Sequence, residues 1–311
     1  MRFVDVKNDV AFRKIFGNEQ KTSILVSFLN AVLNLEGEKS IQKVSIINPY
    51  LLPRIAGEKA SIIDVRAEDA RGQHFIIEMQ MADVDGFDKR VQYYTCRDYS
   101  AQLTEGEKYH LLKPTYFIGI LDFNFFEGED YLSHHIIVNG KTYEHKLKDI
   151  QFTFIELRKF HKTMEELETL VDKWIFFIKN AKNLDVVPEN TTDTGLREAY
   201  KDAEKYSWNR NELIAYDNFF IAEQDARGRI TLAVRKAEAL GKERGKEIGK
   251  EIGKEIGKEI GKEIGKEIGV SETKKAVIKQ CLQKNMPLAM IAELVELSAE
   301  QTQQIINNLN P

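Results

Sequence analysis

Two carboxylates that a hairpin would set face to face are the first chemical possibility in this 311-residue sequence. They lie in SIIDVRAEDARGQHFIIEMQM, residues 61–81. The runs 61–67 and 74–81 read as strands, and residues 68–73 between them as a hairpin turn. With the turn centred near Arg71, Asp64 falls opposite Glu78. Period-two alternation then gives Asp64, Arg66 and Glu68 one face with His74, Glu78 and Gln80. Ile63, Val65 and Ala67 join Phe75, Ile77 and Met79 on the other. Apposed acids repel, and burial raises one pKa strongly. A divalent cation removes that conflict, because Mg²⁺ takes one or two carboxylates and completes its shell with water and phosphate oxygens. The same alternation also describes any half-solvated hairpin. At the level of residue types both readings stand.

Elements able to position such a hairpin surround it. Residues 9–35 carry Phe12, Ile15, Phe16, Ile24, Leu25, Phe28, Leu29, Val32 and Leu33 near helical spacing, broken at Gly17-Asn18 into two helices. A strand is expected over 44–51 and a helix over 87–103. The run TYFIGILDF (115–123) fits a strand covered on both faces. Further strands are expected over 135–138 and 152–157, with mostly helical segments over 164–179 and 198–239. In the 87–103 helix, Arg90 and Tyr94 stand one turn apart, as do Tyr93 and Arg97. Such a basic-aromatic stripe suits phosphate contact and base stacking, and equally an amphipathic helix with snorkelling arginines.

The composition, 42% hydrophobic and 30% charged, supplies a packed core and excludes a wholly disordered or collagen-like chain. The 45 Lys+Arg against 49 Asp+Glu give a net charge of −4, which excludes a basic coat over the whole surface but not a local basic groove. Cys96 and Cys281 stand far apart, too few for a disulfide framework or a cysteine zinc site. His134, His135, His145 and His161 lack metal-ligand spacing, and there is no Walker loop. The N-terminal residues carry charges throughout and lack a signal-peptide apolar region. No apolar run is long enough to span a membrane. A cytoplasmic protein is the expectation.

An internal repeat divides the chain. GKEI runs six times from Gly245 to Ile268 and closes on Gly269. A four-residue period slips roughly 40° per repeat around a helix, so the isoleucines form no coiled-coil seam. Each glycine costs about 1 kcal/mol against alanine. The segment reads as a spacer, helical where a neighbour supports it and frayed otherwise, with a specific assembly element as the alternative. Beyond it a small helical unit is expected: 274–284, a break at 285–287, 288–297, then Ser298 capping a last helix to Leu309. Residues 271–311 carry four lysines and four glutamates. A DNA-reading helix usually carries cations, so a protein-contacting role is as open as a DNA-binding one.

Five segments together resemble the PD-(D/E)XK nuclease superfamily and, within it, the Rpn family of recombination-promoting nucleases and transposases. They are KNDVAFRKIFG (7–17), FLNAVL (28–33), DVRAEDARGQHFIIEMQ (64–80), KRVQYYTCRDYSAQL (89–103) and PTYFIGILDF (114–123), covering about the first 125 residues in order. The resemblance implies an α/β fold with a restriction-endonuclease-like core (helix, three strands, helix, strand) and an all-helical C-terminal extension. The expected organisation is a nuclease-like domain over 1–160, a helical extension over 161–240, the spacer over 241–269 and the helical tail over 270–311. The implied activity is Mg²⁺- or Mn²⁺-dependent cleavage of phosphodiester bonds in DNA. Asp64 matches the metal-binding acid and Glu78 the acid of the (D/E)xK signature. Gln80 stands where the superfamily usually has lysine, in agreement with the EMQ form of this family. Glutamine carries no positive charge and is no base, but its amide can orient water. Lys7, Arg66 and Arg90 are candidates for the missing cation. Asp9 matches an extra acid that some superfamily members carry on the first helix; an N-cap role is its alternative. The rival reading is a catalytically silent module that keeps the fold and binds nucleic acid or protein, supported by Gln80 and the overall acidity. A second copy of the chain is a further candidate partner.

Overall fold

The first helix begins where Asn8 folds its side chain onto the backbone. Its Oδ1 accepts from Val10 N (2.9 Å) and Ala11 N (3.3 Å), satisfying donors that every helix start leaves open. Asp9 thus occupies the first position inside α1 (Asp9–Phe16), not the cap. This computed structural model describes residues 2–51 and 61–309. The chain divides into two compact units, Met1–Asp225 and Ala226–Pro311.

Helices α1 and α2 (Thr22–Val32) bury the apolar residues that set their spacing, among them Phe12, Ile15, Phe16, Phe28 and Leu29. The strands are β1 (Val44–Ile46), β2 (Tyr50–Leu51), β3 (Ser61–Ile62), β4 (Val65–Asp69) and β5 (His74–Gln80). Helix α3 (Phe87–Ala101) follows, then β6 (Thr115–Leu121), β7 (Leu132–His135) and β8 (Ile150–Glu156). Among the described residues they form a six-stranded mixed sheet ordered β1-β4-β5-β6-β8-β7 and a two-stranded β2-β3 pair. β5, β6 and β8 are parallel neighbours; the other ladders are antiparallel.

The β4–β5 register matches the expected one: Val65 pairs with Ile77 and Glu68 with His74. The turn is tied by Asp69, whose Oδ1 accepts from Arg71 N and Gln73 N, both at 2.9 Å. Gly72 supplies the positive φ (79°) that the turn requires.

Three strand expectations need correction. The 44–51 run is two strands, because Pro49 has no N–H to give a ladder. The 61–67 run breaks at Asp64, where side chains replace the backbone ladder: Asp64 N donates to Glu78 Oε1 (3.2 Å), and Met79 N donates to Asp64 Oδ2 (2.9 Å). Ile63 consequently packs with Ile76, Phe87 and Phe117, not with Val65 and Ala67. The strand expected over 135–138 is β7, which ends at His135; β8 pairs with 132–135 and leaves the β-branched Ile136-Ile137-Val138 outside the ladder.

Both faces of the sheet are covered. One core gathers Val65, Ala67, Phe75, Ile77, Ile118 and Ile120 with α1 and α2 and with α4 (Leu170–Asn180) and α5 (Thr194–Ala203). The other packs Ile76, Phe117, Leu121 and Phe154 with Phe87 and Val91 of α3. The chain after β8 is helical, ending in α6 (Arg210–Gln283), α7 (Leu288–Leu294) and α8 (Ala299–Leu309). In the C-terminal unit Ile278, Cys281, Ile291 and Val295 form a small core. Ser298 caps α8 reciprocally with Gln301, both bonds 3.1 Å. The GKEI repeat is helical throughout and exposed at every residue. Among the described residues no helix is long and apolar enough to cross a membrane.

Candidate active site

The break at Asp64 brings two acids to one junction. Asp64 sits in the bend before β4, and Glu78 lies two residues from the end of β5. Glu78 is 8% exposed and the Asp64 side chain 7%. Gly119 of β6 stands beside Glu78 in the parallel ladder. A Cβ there would come within 2.9 Å of the Phe154 ring, so its absence lets the ring pack over β6 at this position. Glu78 is thus shielded from solvent.

Charged groups arrive from the two flanking helices. Arg13 of α1 donates to Asp64 Oδ1 from Nη2 (2.8 Å) and Nε (3.2 Å). The same Nη2 lies 3.1 Å from Asp9 Oδ2. Arg90, in the first turn of α3, donates from Nη2 to Gln80 Oε1 at 2.5 Å. Gln80 Nε2 donates to Ala82 O at 2.8 Å, so the amide is held at both ends.

The electrostatics follow from burial and a shortage of positive charge. Burial, reinforced by the Asp64 charge, pushes Glu78 up to about 8, against the lowering pull of the Asp64 N–H and Arg90. Burial, the Asp64 charge and a hydrogen bond with Asp64 push Asp9 up to about 6, against Arg13. Among the described residues no three His, Cys, Asp or Glu side chains gather into a metal-holding group. The Asp64–Glu78 pair nevertheless fits a hard divalent cation, which needs one or two carboxylates and relieves the strain of apposed acids.

The other sequence candidates separate. Arg66 is drawn away to the buried Asp98 of α3 (Nε to Oδ1, 2.5 Å), which His74 Nδ1 also meets at 2.8 Å. Lys7 pairs with Asp122, just past β6, at 2.9 Å. Tyr94 packs against the apolar cluster around Phe87, and Arg97 donates to Tyr93 Oη at 3.1 Å. Sequence reasoning missed Arg13. The available signal was its place one helical turn after Asp9, which puts both on one face of α1.

A sequence model of the PD-(D/E)XK nuclease family transposases matches residues 6–233. The chain belongs to that family. No curated protein and no solved structure matches it. The match runs from just before α1 into α6, well past the 125 or so residues whose motifs carried the resemblance. Residues 126–233 are therefore part of the family's unit, in keeping with the packing of α4 and α5 against α1 and α2 in one core. As a member of the PD-(D/E)XK nuclease family transposases the chain has a nuclease-type function, with nucleic acid as the substrate class.

Proposed function

We propose that the protein is a divalent-metal-dependent endodeoxyribonuclease that hydrolyses phosphodiester bonds in DNA with Mg²⁺ or Mn²⁺. Asp64 and Glu78 would hold the cation. The observation that carries this reading is their shared junction, with Asp64 N on Glu78 Oε1 and both side chains nearly buried. When bound, such a cation would supply Lewis-acid stabilisation of the phosphate and would lower the pKa of water so that it can be deprotonated to the nucleophile.

The chain's own residues do the rest. Glu78 must give up its proton to act as a ligand, so a site empty of metal favours the neutral acid and a loaded one the carboxylate. Gln80 is fixed by Arg90 and by Ala82 O, which leaves one lone pair and one N–H of its amide to orient a water. Arg90 brings to that position the positive charge that a signature lysine would otherwise carry. Water positioning thus falls to the Gln80–Arg90 pair, and metal binding to the acids.

Nicking of supercoiled plasmid tests the reading. Wild-type protein should nick with millimolar Mg²⁺ and lose activity in chelator. D64N and E78Q should each lower the rate at least ~1,000-fold, the order expected when preorganised electrostatic stabilisation is lost. Q80A should cost roughly tenfold, since it loosens orientation alone. A wild-type protein with neither nicking nor a Mg²⁺-dependent rise in melting temperature would pass the function to the silent binding module.

A further inference from the structure

Arg13 is tied to the acids of the junction although little about the fold requires it. Its side chain is 46% exposed while its partner Asp64 is nearly buried, so the contact serves to compensate that acid rather than to anchor the helix. The inward residues of α1, namely Ala11, Phe12, Ile15 and Phe16, anchor the helix without it. Yet among the described residues its three side-chain polar contacts go to Asp64 and Asp9.

The two oxygens of Asp64 have different occupants. Oδ2 is committed to the backbone of Met79, a bond that also shapes the strand break. Oδ1 faces Arg13 through two N–H groups. A divalent cation approaching Asp64 therefore meets the guanidinium at the oxygen the backbone has not claimed, with Asp9 also hydrogen-bonded to this carboxyl. A cleft of about 280 Å³, lined in part by Arg13, Asn48, Asp64 and Arg66, lies alongside and gives the displaced side chain room to turn. The planar donor fork of arginine matches phosphate oxygens as well as it matches a carboxylate.

We propose that Arg13 is a catalytic residue: it neutralises Asp64 while no metal is bound, and it turns to a phosphate group of the substrate once a divalent cation takes its place. The inference rests on the nuclease reading. It gives one arginine two successive anionic partners, so that Asp64 is not left uncompensated in the metal-free junction. Loading the cation then frees a positive group for the DNA strand.

The test pairs Mg²⁺ titration calorimetry of the full chain with plasmid nicking by the same preparations. Removing a resident competitor should tighten Mg²⁺ binding, so R13Q should bind it roughly fivefold more strongly than wild type. The same variant should nick roughly 100-fold more slowly, having lost a donor to the reacting phosphate. R13K keeps the charge without the fork and should fall between wild type and R13Q in both measurements, which preserves the test if R13Q folds poorly. A merely structural arginine would weaken metal binding and cleavage together. That result, unchanged Mg²⁺ affinity, or undiminished nicking would overturn the inference while D64N, by losing Mg²⁺ binding, still upholds the nuclease reading. If wild type and D64N alike bind no Mg²⁺, it is the nuclease reading itself that fails.

Discussion

The β4–β5 region carries buried acids at its two ends, and the ends are wired in opposite ways. Toward the turn, Asp98 is fully buried but meets Arg66, His74 and Thr115 Oγ1, the last at 3.2 Å. The hydrogen bond from His74 and the Arg66 charge hold its pKa below the ordinary carboxylate value, although burial alone would raise it. Toward the open end, Glu78 is buried to a similar degree beside Asp64, with Asp9 close by, and is pushed up to about 8. Burial is common to both ends; the supply of partners is not. The first arrangement is complete as it stands and fastens α3 to the sheet. The second is short of positive charge, the condition under which a bound cation gains most.

Exchanging each acid for its amide should split the two ends most widely. D98N leaves Arg66 facing a neutral group in a largely buried setting, and loss of one partner from a buried pair costs about 3 kcal/mol. E78Q replaces an acid that the metal-free fold must bury protonated beside Asp64, a cost the neutral amide does not carry, and should leave the metal-free melting temperature unchanged or higher. Thermal melts in chelator decide this, and equal losses in the two variants would erase the distinction.

A smaller effect should appear in the pH dependence of the metal-free protein. Glu78 rises from 4.5 to about 8 on folding and Asp9 from 3.8 to about 6, so between those limits the folded state holds protons that the unfolded state has released. Stability from these groups is therefore present at low pH and declines as pH rises through their folded values. Asp98 has the opposite sign: its contribution is present above the ordinary carboxylate range and is lost as pH falls through its depressed value. Melting temperature in chelator should accordingly fall between pH 5.5 and 8.5, with a shallower slope in E78Q. A curve that climbs steadily over that range would contradict the assignment.

The smallest effect is expected from the GKEI helix, where lysines and glutamates alternate in full exposure. Deleting two repeats should change nicking by less than about twofold, because exposed charges are screened and contribute little. Loss of folding in that deletion would mean that the repeat is more than a spacer.

The hairpin register was legible because alternation and the turn chemistry of Asp69 and Gly72 are local signals, and local signals suffice to align two adjacent strands. The family motifs over 64–80 also marked the acids that the structure brings to one junction. The strand break at Asp64 was not legible, since it depends on side chains capturing backbone groups across the pair. Arg13 and Asp98 were missed for a related reason. Each meets a partner on a separate element, 51 and 32 positions away, and no periodicity encodes such a meeting. β7 was placed three residues too late because an edge strand of Leu-Ser-His-His lacks the β-branched pattern that its neighbour 136–138 advertises.

Helix α3 also has the geometry of a lever. Asp98 is its fulcrum on three strands, through Arg66, His74 and Thr115, and Arg90 is its working tip at Gln80. Between them the rod advances about 12 Å. A tilt of a few degrees at the fulcrum becomes a displacement of several tenths of an ångström at the tip, enough to lengthen a hydrogen bond. Substitutions around Asp98 can therefore reach the Gln80 amide without touching it, and mutational sensitivity in this protein should extend along α3 well beyond the residues that meet nucleic acid.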